Sequence, residues 1–222
     1  MKTLVIIPAF NEEENLPSLI NEINKYKYDY LIINDCSSDN TISLAKENNY
    51  NILNLPVNMG LAGVTRIGFM YAKDNNYDCV VCVDGDGQHQ PCFISNLTKE
   101  IENGNDYVVG SRFVDNKKPF TLRMIGSSLL SFLIKIKTGK TIKDPTSGMR
   151  ALNKNVISDF DKSMNFYAEP DTLVHLLKRG YKVKEVQVEM LDRKNGKSYF
   201  ISPFKSIKFM VCEILSILFV QW

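Results

Sequence analysis

Short apolar runs alternate with segments of helical periodicity through the first half of this chain of 222 residues. The apolar runs are LVIIPA at 4–9, YLIIN at 30–34, NILNL at 51–55 and CVVCVD at 79–84. Helical segments begin near Glu13, after Asp39 and at Gly60. Strands that alternate with helices in this way form a mainly parallel sheet with helices on both faces. The sequence therefore predicts an α/β fold.

Polar segments follow three of the predicted strands, at 8–12, 35–39 and 84–88. Ligands of open α/β sheets bind beyond the carboxyl ends of the strands, so these segments are expected to converge on one crevice. The third segment holds Asp84 and Asp86, separated by one glycine. Two carboxylates so close together repel each other unless a cation lies between them, and Mg²⁺ or Mn²⁺ holding a diphosphate is the usual reason. The alternative is ordinary Asp-Gly turn chemistry.

Charge divides the chain into two unlike halves. Residues 1–111 hold 7 Lys+Arg against 15 Asp+Glu, about −8, whereas residues 112–222 hold 20 against 10, about +10. An acidic half with a candidate metal site, followed by a basic half, suits an enzyme whose second part meets phosphates or an anionic membrane surface. The alternative is a solvated basic surface with no partner.

Five cysteines without a secretory leader indicate a reducing, cytoplasmic setting. Cys79 and Cys82 are spaced as a Cys-x-x-Cys motif, but they lie in a predicted strand. A separation of three along a strand directs the side chains to opposite faces. Both are therefore predicted to be core residues rather than a zinc or redox pair.

After the predicted strand DYVVGSRF at 106–113, the segment 121–140 forms a helix with an apolar stripe and basic neighbours. Such a stripe faces either a protein core or a membrane surface, and both readings stay open. The segment 203–222 is also apolar, but it falls short of the ~20 apolar residues that a spanning helix needs. Docking on the domain, a partner or the membrane interface is favoured. The stripe consists of Leu122, Ile125, Leu129, Phe132, Leu133 and Ile136.

Seven segments together resemble the inverting glycosyltransferases of family 2, which have a GT-A fold. Within that family they resemble the polyprenyl-phosphate sugar transferases, typified by the dolichyl-phosphate mannose synthases. The first four mark the wider family and the last three the subgroup. In chain order the segments are IPAFNEEENL at 7–16, INDCSSDNT at 33–41, NMGLAGVTRIGFMYA at 58–72, VDGDGQHQP at 83–91, GSRF at 110–113, DPTSGMRA at 144–151 and RKNGKS at 193–198.

The resemblance implies a set of residues around a nucleotide-sugar donor. Asp84, Asp86 and Gln88 would surround Mg²⁺ or Mn²⁺, because carboxylate and amide oxygens suit a hard cation. The donor itself would contact a larger set: Pro8, Ala9, Glu12, Asp35, Arg66 and Asp84.

The resemblance also implies an acceptor side. Arg112, Arg123 and Ser127 would bind an acceptor phosphate, since the guanidinium fork fits phosphate oxygens. Asp144 is the expected catalytic residue together with Asp86. It would be a general base if the acceptor is a sugar hydroxyl, or would orient acceptor or donor if the acceptor is a lipid phosphate, which is already ionised. Arg150 would stabilise charge on the leaving diphosphate.

The resemblance predicts one GT-A glycosyltransferase domain at 1–200, with a nucleotide-sugar and metal half at 1–111 and an acceptor half at 112–200. The segment 201–222 would be an apolar helix that docks on a membrane or partner. The expected activity is metal-dependent, inverting transfer of a hexose or N-acetylhexosamine from a UDP- or GDP-sugar to a polyprenyl phosphate, at the cytoplasmic face of the membrane.

Other functions fit the same residues. A saccharide hydroxyl could be the acceptor during assembly of a cell-surface polysaccharide, or the chain could bind nucleotide-sugars without catalysis. A small membrane protein is a further expected partner, and nucleic acid is not. A dinucleotide oxidoreductase is excluded by the lack of a GxGxxG motif after the first strand.

Overall fold

The computed structural model describes residues 1–162, 170–193, 195 and 203–220. Within this part of the chain, seven strands form one sheet in the order β3-β2-β1-β4-β6-β5-β7. The strands are β1 (Thr3–Ala9), β2 (Asp29–Asn34), β3 (Ile52–Asn54), β4 (Cys79–Cys82), β5 (Tyr107–Ser111), β6 (Arg150–Asn153) and β7 (Val183–Gln187).

Helices connect the strands and cover the sheet. They are α1 (Leu16–Lys25), α2 (Thr41–Glu47), α3 (Gly60–Asp74), α4 (Ile94–Glu102), α5 (Leu122–Thr138), α6 (Lys154–Lys162), α7 (Pro170–Lys178) and α8 (Pro203–Leu215). A 3-10 turn (Pro91–Phe93) precedes α4, and a π-helical turn (Ser216–Val220) follows α8.

The sheet is mixed and mainly parallel, as predicted. Strand β1 runs parallel to β2 and β4, β2 parallel to β3, and β5 parallel to β7. Strand β6 runs antiparallel to both of its neighbours, β4 and β5. Because of this reversal, the segment that precedes β6 lies at the same edge of the sheet as the segments that follow β4 and β5. The DPTSGM segment at 144–149 is thereby brought next to Asp84.

The core lies on both faces of the sheet, because successive strand residues point to opposite sides. Leu4 belongs to the cluster on one face, and the adjacent Val5 to the cluster on the other. The two cysteines of β4 behave in the same way. Cys82 lies in the first cluster and Cys79 in the second, so the prediction that they are separate core residues is confirmed.

Helix α5 forms as predicted, but its apolar stripe faces outward. Thr121 caps the start of the helix by accepting a hydrogen bond from the Met124 backbone N–H. The inward face consists of Met124, Ser127, Leu130 and Ile134. Of the six stripe residues, Leu133 packs against the core, and the other five are exposed. They are Leu122, Ile125, Leu129, Phe132 and Ile136.

Helix α8 docks on α5 and α7. Ile217, in the turn that follows α8, is fully buried. No helix among the described residues is both long and apolar enough to cross a membrane.

Candidate active site

The ends of β1 and β2 are joined into one wall of a crevice. The backbone N–H of Asp35 donates to the carbonyl of Ala9 at 2.9 Å. Asn11 has a left-handed backbone, with φ of 57°, and its side-chain oxygen accepts a hydrogen bond from the Ser38 N–H at 2.8 Å. The predicted convergence of the first two polar segments is therefore observed.

Asp35 uses its carboxylate to hold the start of α3. One oxygen accepts from the Met59 N–H at 2.6 Å and the other from the Gly60 N–H at 2.9 Å. A carboxylate at a helix N-terminus satisfies free backbone donors and interacts favourably with the helix dipole. Sequence reasoning expected a direct nucleotide contact here, whereas both oxygens are already engaged within the protein. Arg66, also predicted at the donor, lies on the same helix and is partly exposed.

The segment after β4 approaches the end of β1 very closely. A Cβ atom placed on Gly85 would lie 2.7 Å from the carbonyl oxygen of Pro8, so only glycine fits between the two strand ends. On either side of Gly85, the backbone N–H of Asp84 donates to Nδ1 of His89 at 3.0 Å, and Oδ1 of Asp86 accepts from the Gln88 N–H at 3.0 Å. These contacts place both aspartates beside Pro8 and Ala9.

Arg193 links the donor wall to the aspartate pair. Its guanidinium lies 2.9 Å from Oε1 of Glu12 and 3.1 Å from Oδ2 of Asp86. Burial raises the pKa of the Glu12 carboxyl, and the charges of Asp86 and Asp84 raise it further, while Asn15 and Arg193 oppose this change. Three carboxylates therefore lie within electrostatic range of one another. Lys197 and Ser198, from the same sequence motif as Arg193, lie outside the described residues.

The carboxylates fit a divalent cation whose remaining ligands are phosphate oxygens and water. In the part of the chain that the structure describes, no three or more Asp, Glu, His or Cys side chains are arranged to hold a metal by themselves. Mg²⁺ commonly binds through one or two carboxylates together with phosphate oxygens and water. Asp84 and Asp86 offer such a partial set. Gln88, the third predicted ligand, donates its side-chain amide to the Leu191 carbonyl at 3.1 Å.

The segment that precedes β6 touches the aspartate pair. A Cβ atom placed on Gly148 would lie 2.8 Å from Oδ2 of Asp84 and 3.0 Å from Cε1 of His89. Glycine is therefore required at this position if Asp84 is to keep its place. The contact is one of several that join the acidic first half of the chain to the basic second half, beside the pairing of β4 with β6 and the ion pairs of Arg193.

Asp144 is completely buried and paired with Arg112, which follows β5. The guanidinium makes two parallel hydrogen bonds to the carboxylate, Nε to Oδ2 at 2.7 Å and Nη2 to Oδ1 at 2.8 Å. The Arg112 backbone N–H also donates to Oδ2, at 3.1 Å. Glu185, on β7, accepts from the backbone N–H groups of Lys143 and Asp144 at 2.7 and 2.8 Å. Asp144 therefore positions Arg112, and both of its oxygens are occupied.

Lys118 and Arg123 lie near Arg112. Lys118 donates to the hydroxyl of Ser127 at 3.0 Å, so Ser127, predicted as a phosphate ligand, is buried beneath this lysine. Desolvation lowers the pKa of Lys118, and the Arg112 charge lowers it further, whereas Asp144 raises it. Desolvation and the Arg112 charge also lower the pKa of Arg123. We call Arg112, Lys118 and Arg123 the cation cluster; three neighbouring cations fit a multiply charged anion such as a phosphate monoester.

Arg150 does not lie where a leaving diphosphate could reach it. The residue is 2% exposed, and its guanidinium donates to the carbonyls of Ser147 and Pro145 at 2.6 and 2.9 Å and to the Tyr107 hydroxyl at 3.0 Å. The prediction that Arg150 contacts the diphosphate is therefore corrected: its guanidinium is buried and bonded within the protein. Arg150 stabilises the loop that carries Asp144 and Gly148, because it satisfies two of the loop's carbonyls.

Two residues of the site have no counterpart in the sequence prediction. Lys118 could have been suspected from the basic pair that follows the GSRF segment. Glu185 has no sequence signal, since it reaches Asp144 only through the pairing of β7 with β5.

The chain is similar to known glycosyltransferases. Residues 4–160 match the family described as glycosyl transferase family 2. A UDP-N-acetylglucosamine–dolichyl-phosphate N-acetylglucosaminyltransferase of Methanococcus voltae is 32% identical, over 84% of this chain and 84% of its own length. A polyprenol monophosphomannose synthase of Mycolicibacterium smegmatis is 28% identical, over 89% of this chain and 80% of its own.

A solved structure with a similar fold is the glucosyl-3-phosphoglycerate synthase of Mycobacterium tuberculosis in complex with Mn²⁺, UDP and phosphoglyceric acid. Its TM-score is 0.73 and its sequence identity 19%, and the similarity covers 97% of this chain and 78% of that one. At this identity the similarity concerns the fold alone.

Proposed function

Because this chain belongs to glycosyl transferase family 2 and is therefore a glycosyltransferase, we propose that it transfers a sugar to a polyprenyl phosphate. The donor is a UDP- or GDP-activated hexose or N-acetylhexosamine, and the transfer inverts the anomeric carbon. The names of the relatives from M. voltae and M. smegmatis support a polyprenyl or dolichyl acceptor. The acidic half binds the donor and the basic half the acceptor.

The pairing of Arg112 with Asp144 carries this proposal. A sugar hydroxyl must lose a proton as it attacks, and that proton needs a general base. Both oxygens of Asp144 accept hydrogen bonds from Arg112, and the carboxylate is fully buried. A phosphate monoester, with a second pKa of about 6, is already mostly ionised at neutral pH and needs no base. The geometry therefore favours a phosphate acceptor over a saccharide hydroxyl.

On the donor side, Asp84, Asp86 and Gln88 would hold Mg²⁺ or Mn²⁺. The cation would neutralise charge on the departing nucleoside diphosphate. Pro8, Ala9 and their neighbours Glu12 and Asp35 would form the wall beside the base and ribose, with Arg66 on α3 nearer to the phosphates.

On the acceptor side, the cation cluster would orient the lipid phosphate. One phosphate oxygen attacks the anomeric carbon from the face opposite the diphosphate. The new bond joins that carbon to the acceptor oxygen, and the bond to the diphosphate breaks with its electron pair. Arg112 is held in position for this step by Asp144, which is why Asp144 acts as a positioning residue rather than as a base.

We place the reaction at the cytoplasmic face of a membrane, because the polyprenyl chain of the proposed acceptor is anchored in the bilayer. A small membrane protein remains a proposed partner.

Acceptor competition tests the proposal. Purified protein is incubated with a panel of UDP- and GDP-sugars, Mg²⁺ or Mn²⁺, and one of three acceptors: a short polyprenyl phosphate, the matching polyprenol, or free saccharides. We expect nucleoside diphosphate to be released with the polyprenyl phosphate and not with the polyprenol or the free saccharides. Release with saccharides, and none with the lipid phosphate, would favour polysaccharide assembly instead.

A further inference from the structure

A large apolar surface is exposed on the acceptor half of the molecule. It is formed by two neighbouring helices, α5 and α8, and by the segments next to them. Phe120 is 94% exposed and Leu122 is 88% exposed, which is unusual for such large apolar side chains. We call this surface the apolar platform. Its members are Phe120, Leu122, Ile125, Leu129, Phe132, Ile136, Ile207, Val211, Leu215 and Phe219.

The platform follows helical spacing on both helices. On α5 its members recur every three or four residues from Leu122 to Ile136, on the side away from the buried residues of the helix. On α8 and its terminal turn they recur every four residues from Ile207 to Phe219. Such amphipathic helices have one face packed on protein and one apolar face left for another environment.

Polar contacts fix α8 with this face outward. The carboxylate of Glu213 is buried and accepts a hydrogen bond from the Asp171 backbone N–H at 3.1 Å, at the start of α7. The hydroxyl of Ser216 donates to Oδ2 of Asp171 at 2.6 Å. Lys137 of α5 donates to the carbonyl of Leu218 at 2.9 Å. These contacts face the domain, so the exposure of the apolar stripe is a property of the folded chain.

The charges around the platform identify its partner. Helix α5 carries Arg123, Lys135 and Lys137 and no acidic residue. Glu213 is the only acidic residue of the segment 203–220, and it is buried against α7. An apolar surface with a cationic border fits an anionic bilayer, because the apolar groups enter the lipid and the cations meet the headgroups. A second copy of the chain would bring a like-charged border instead.

The platform is continuous with the cation cluster. Phe120 and Leu122 lie in the sequence between Lys118 and Arg123, and α5 extends from that point. We infer that the platform lies on the surface of an anionic bilayer, which places the cation cluster at the depth of the lipid headgroups. The phosphate of a lipid acceptor then reaches Arg112 without leaving the membrane. The link to a lipid acceptor rests on the proposed function, but the binding of lipid by the platform can be measured without any turnover.

Vesicle flotation tests the inference directly. The full chain is mixed with vesicles of phosphatidylcholine alone or with phosphatidylglycerol, and the bound fraction is measured. Phe132→Glu and Ile207→Glu change one platform residue on each helix. Met70→Glu is the matched control, since Met70 is 43% exposed on α3, away from the platform. We expect binding to anionic vesicles to fall roughly tenfold or more in each platform variant and to be unchanged in the control.

The charge contribution is tested separately with Lys135→Glu and Lys140→Glu. Both residues are exposed and neither belongs to the cation cluster. Their replacement is expected to weaken binding to vesicles that contain phosphatidylglycerol and to leave binding to neutral vesicles unchanged. Equal binding of wild type and platform variants would overturn the inference. The inference would also be overturned if the wild-type protein did not bind vesicles but sedimented as a dimer, and Phe132→Glu dissociated that dimer.

The two proposals fail in different ways. If the chain transfers sugar to a lipid phosphate and uses the platform, Phe132→Glu keeps its activity toward a short, water-soluble polyprenyl phosphate and loses it toward a long-chain acceptor in vesicles. Loss of vesicle binding with unchanged activity in vesicles overturns the role of the platform alone. Vesicle binding that persists without turnover on any lipid phosphate overturns the proposed acceptor alone.

Discussion

The proposed donor half of the chain (1–111) is acidic and the proposed acceptor half (112–200) is basic, and the two are built from different kinds of contacts. In the donor half, acidic residues gather at the ends of parallel strands and are linked to one another and to later segments, as Asp35 is to Met59 and Glu12 is to Arg193. In the acceptor half, cations surround the buried Asp144, and the elements that hold them come from three distant parts of the chain: β5, β7 and the loop before β6. A donor diphosphate that arrives with a cation suits the first half, and an anionic acceptor suits the second.

The difference also explains where the two halves meet. Strand β6 is antiparallel to β4, so the loop before it contacts the end of β4 through Gly148 and Asp84. In the proposed reaction the anomeric carbon lies between a departing diphosphate and an attacking phosphate, and this junction would bring the two proposed binding regions together. Four substitutions or measurements separate the halves or test their connection.

Replacement of Arg112 with alanine should have the largest effect and should spare the donor half. It leaves the buried carboxylate of Asp144 without its cation, and breaking a buried ion pair in this way costs roughly 3–5 kcal/mol of unfolding free energy. Denaturant unfolding measures the loss. Arg112→Lys keeps the charge but not the two parallel hydrogen bonds, so it should retain most of the stability and still lose activity toward a phosphate acceptor. Activity of Arg112→Lys equal to wild type would contradict the assigned role.

Gly148→Ala should disturb the junction. The added Cβ would lie 2.8 Å from Oδ2 of Asp84, so the carboxylate must move. We expect the affinity for Mn²⁺ in the presence of nucleoside diphosphate to fall roughly 10–100-fold, the range typical of misplaced metal ligands. Asp84→Asn should give a similar loss, and the double variant should be little worse than either single one because the two changes act on the same ligand. Additive losses would mean that Gly148 acts elsewhere.

Arg193→Ala should change stability in a way that depends on pH. Burial raises the pKa of Glu12 in the folded state above its ordinary value. The contribution of Glu12 to the free energy of unfolding is therefore lost as the pH rises through the raised pKa. Loss of Arg193 raises that pKa further. The free energies of unfolding of wild type and variant should therefore differ most at neutral pH, by about 1 kcal/mol, and the difference should shrink as acid protonates Glu12.

Thermal unfolding with and without Mn²⁺ provides the control for Arg193. Because the variant leaves Glu12 and Asp86 without their shared cation, Mn²⁺ should raise its melting temperature more than that of wild type. A stability difference that is independent of pH would show that Arg193 contributes through packing rather than through charge.

Cysteine labelling gives the smallest effect and reports on the fold. Burial raises the pKa values of Cys79 and Cys82 to about 12, so these thiols should resist alkylation at pH 8. The exposed Cys36, Cys92 and Cys212 should react in the native protein. Nucleoside diphosphate with Mn²⁺ should slow the labelling of Cys36, which adjoins Asp35, and leave Cys212 unaffected. Five reactive thiols in the native protein would contradict the packing of β4.

Much of the donor half could be predicted from the sequence because its determinants are local. The alternation of apolar runs and helices predicts the parallel strands, and the carboxyl ends of those strands locate 8–12, 35–39 and 84–88 in one crevice. The role of Asp35 was harder to see. A carboxylate after a strand looks the same in sequence whether it meets a ligand or the N-terminus of a later helix, and Met59 lies 24 residues away.

The acceptor half was less predictable because its contacts are long-range. Arg150 turns inward because its register in β6 puts it on the same face of the sheet as Leu152 and Tyr107, and nothing in the DPTSGMRA segment signals this. The sequence shows the apolar stripe on α5, but the periodicity of such a stripe is the same for a buried and for an exposed face. Only the burial of Met124 and Leu130 on the other side of the helix identifies the stripe as the outer face.

Binding of UDP and GDP in the presence and absence of Mn²⁺ tests most directly whether a divalent cation on Asp84 and Asp86 holds the donor diphosphate. Calorimetry with wild type and Asp86→Asn, and with Asp74→Asn as an exposed control, gives the affinities. We predict that one of the two nucleotides binds tightly only when Mn²⁺ is present, and that Asp86→Asn removes this dependence while Asp74→Asn keeps it. Equal affinity with and without Mn²⁺ in wild type, or full Mn²⁺-dependent binding in Asp86→Asn, would contradict the account.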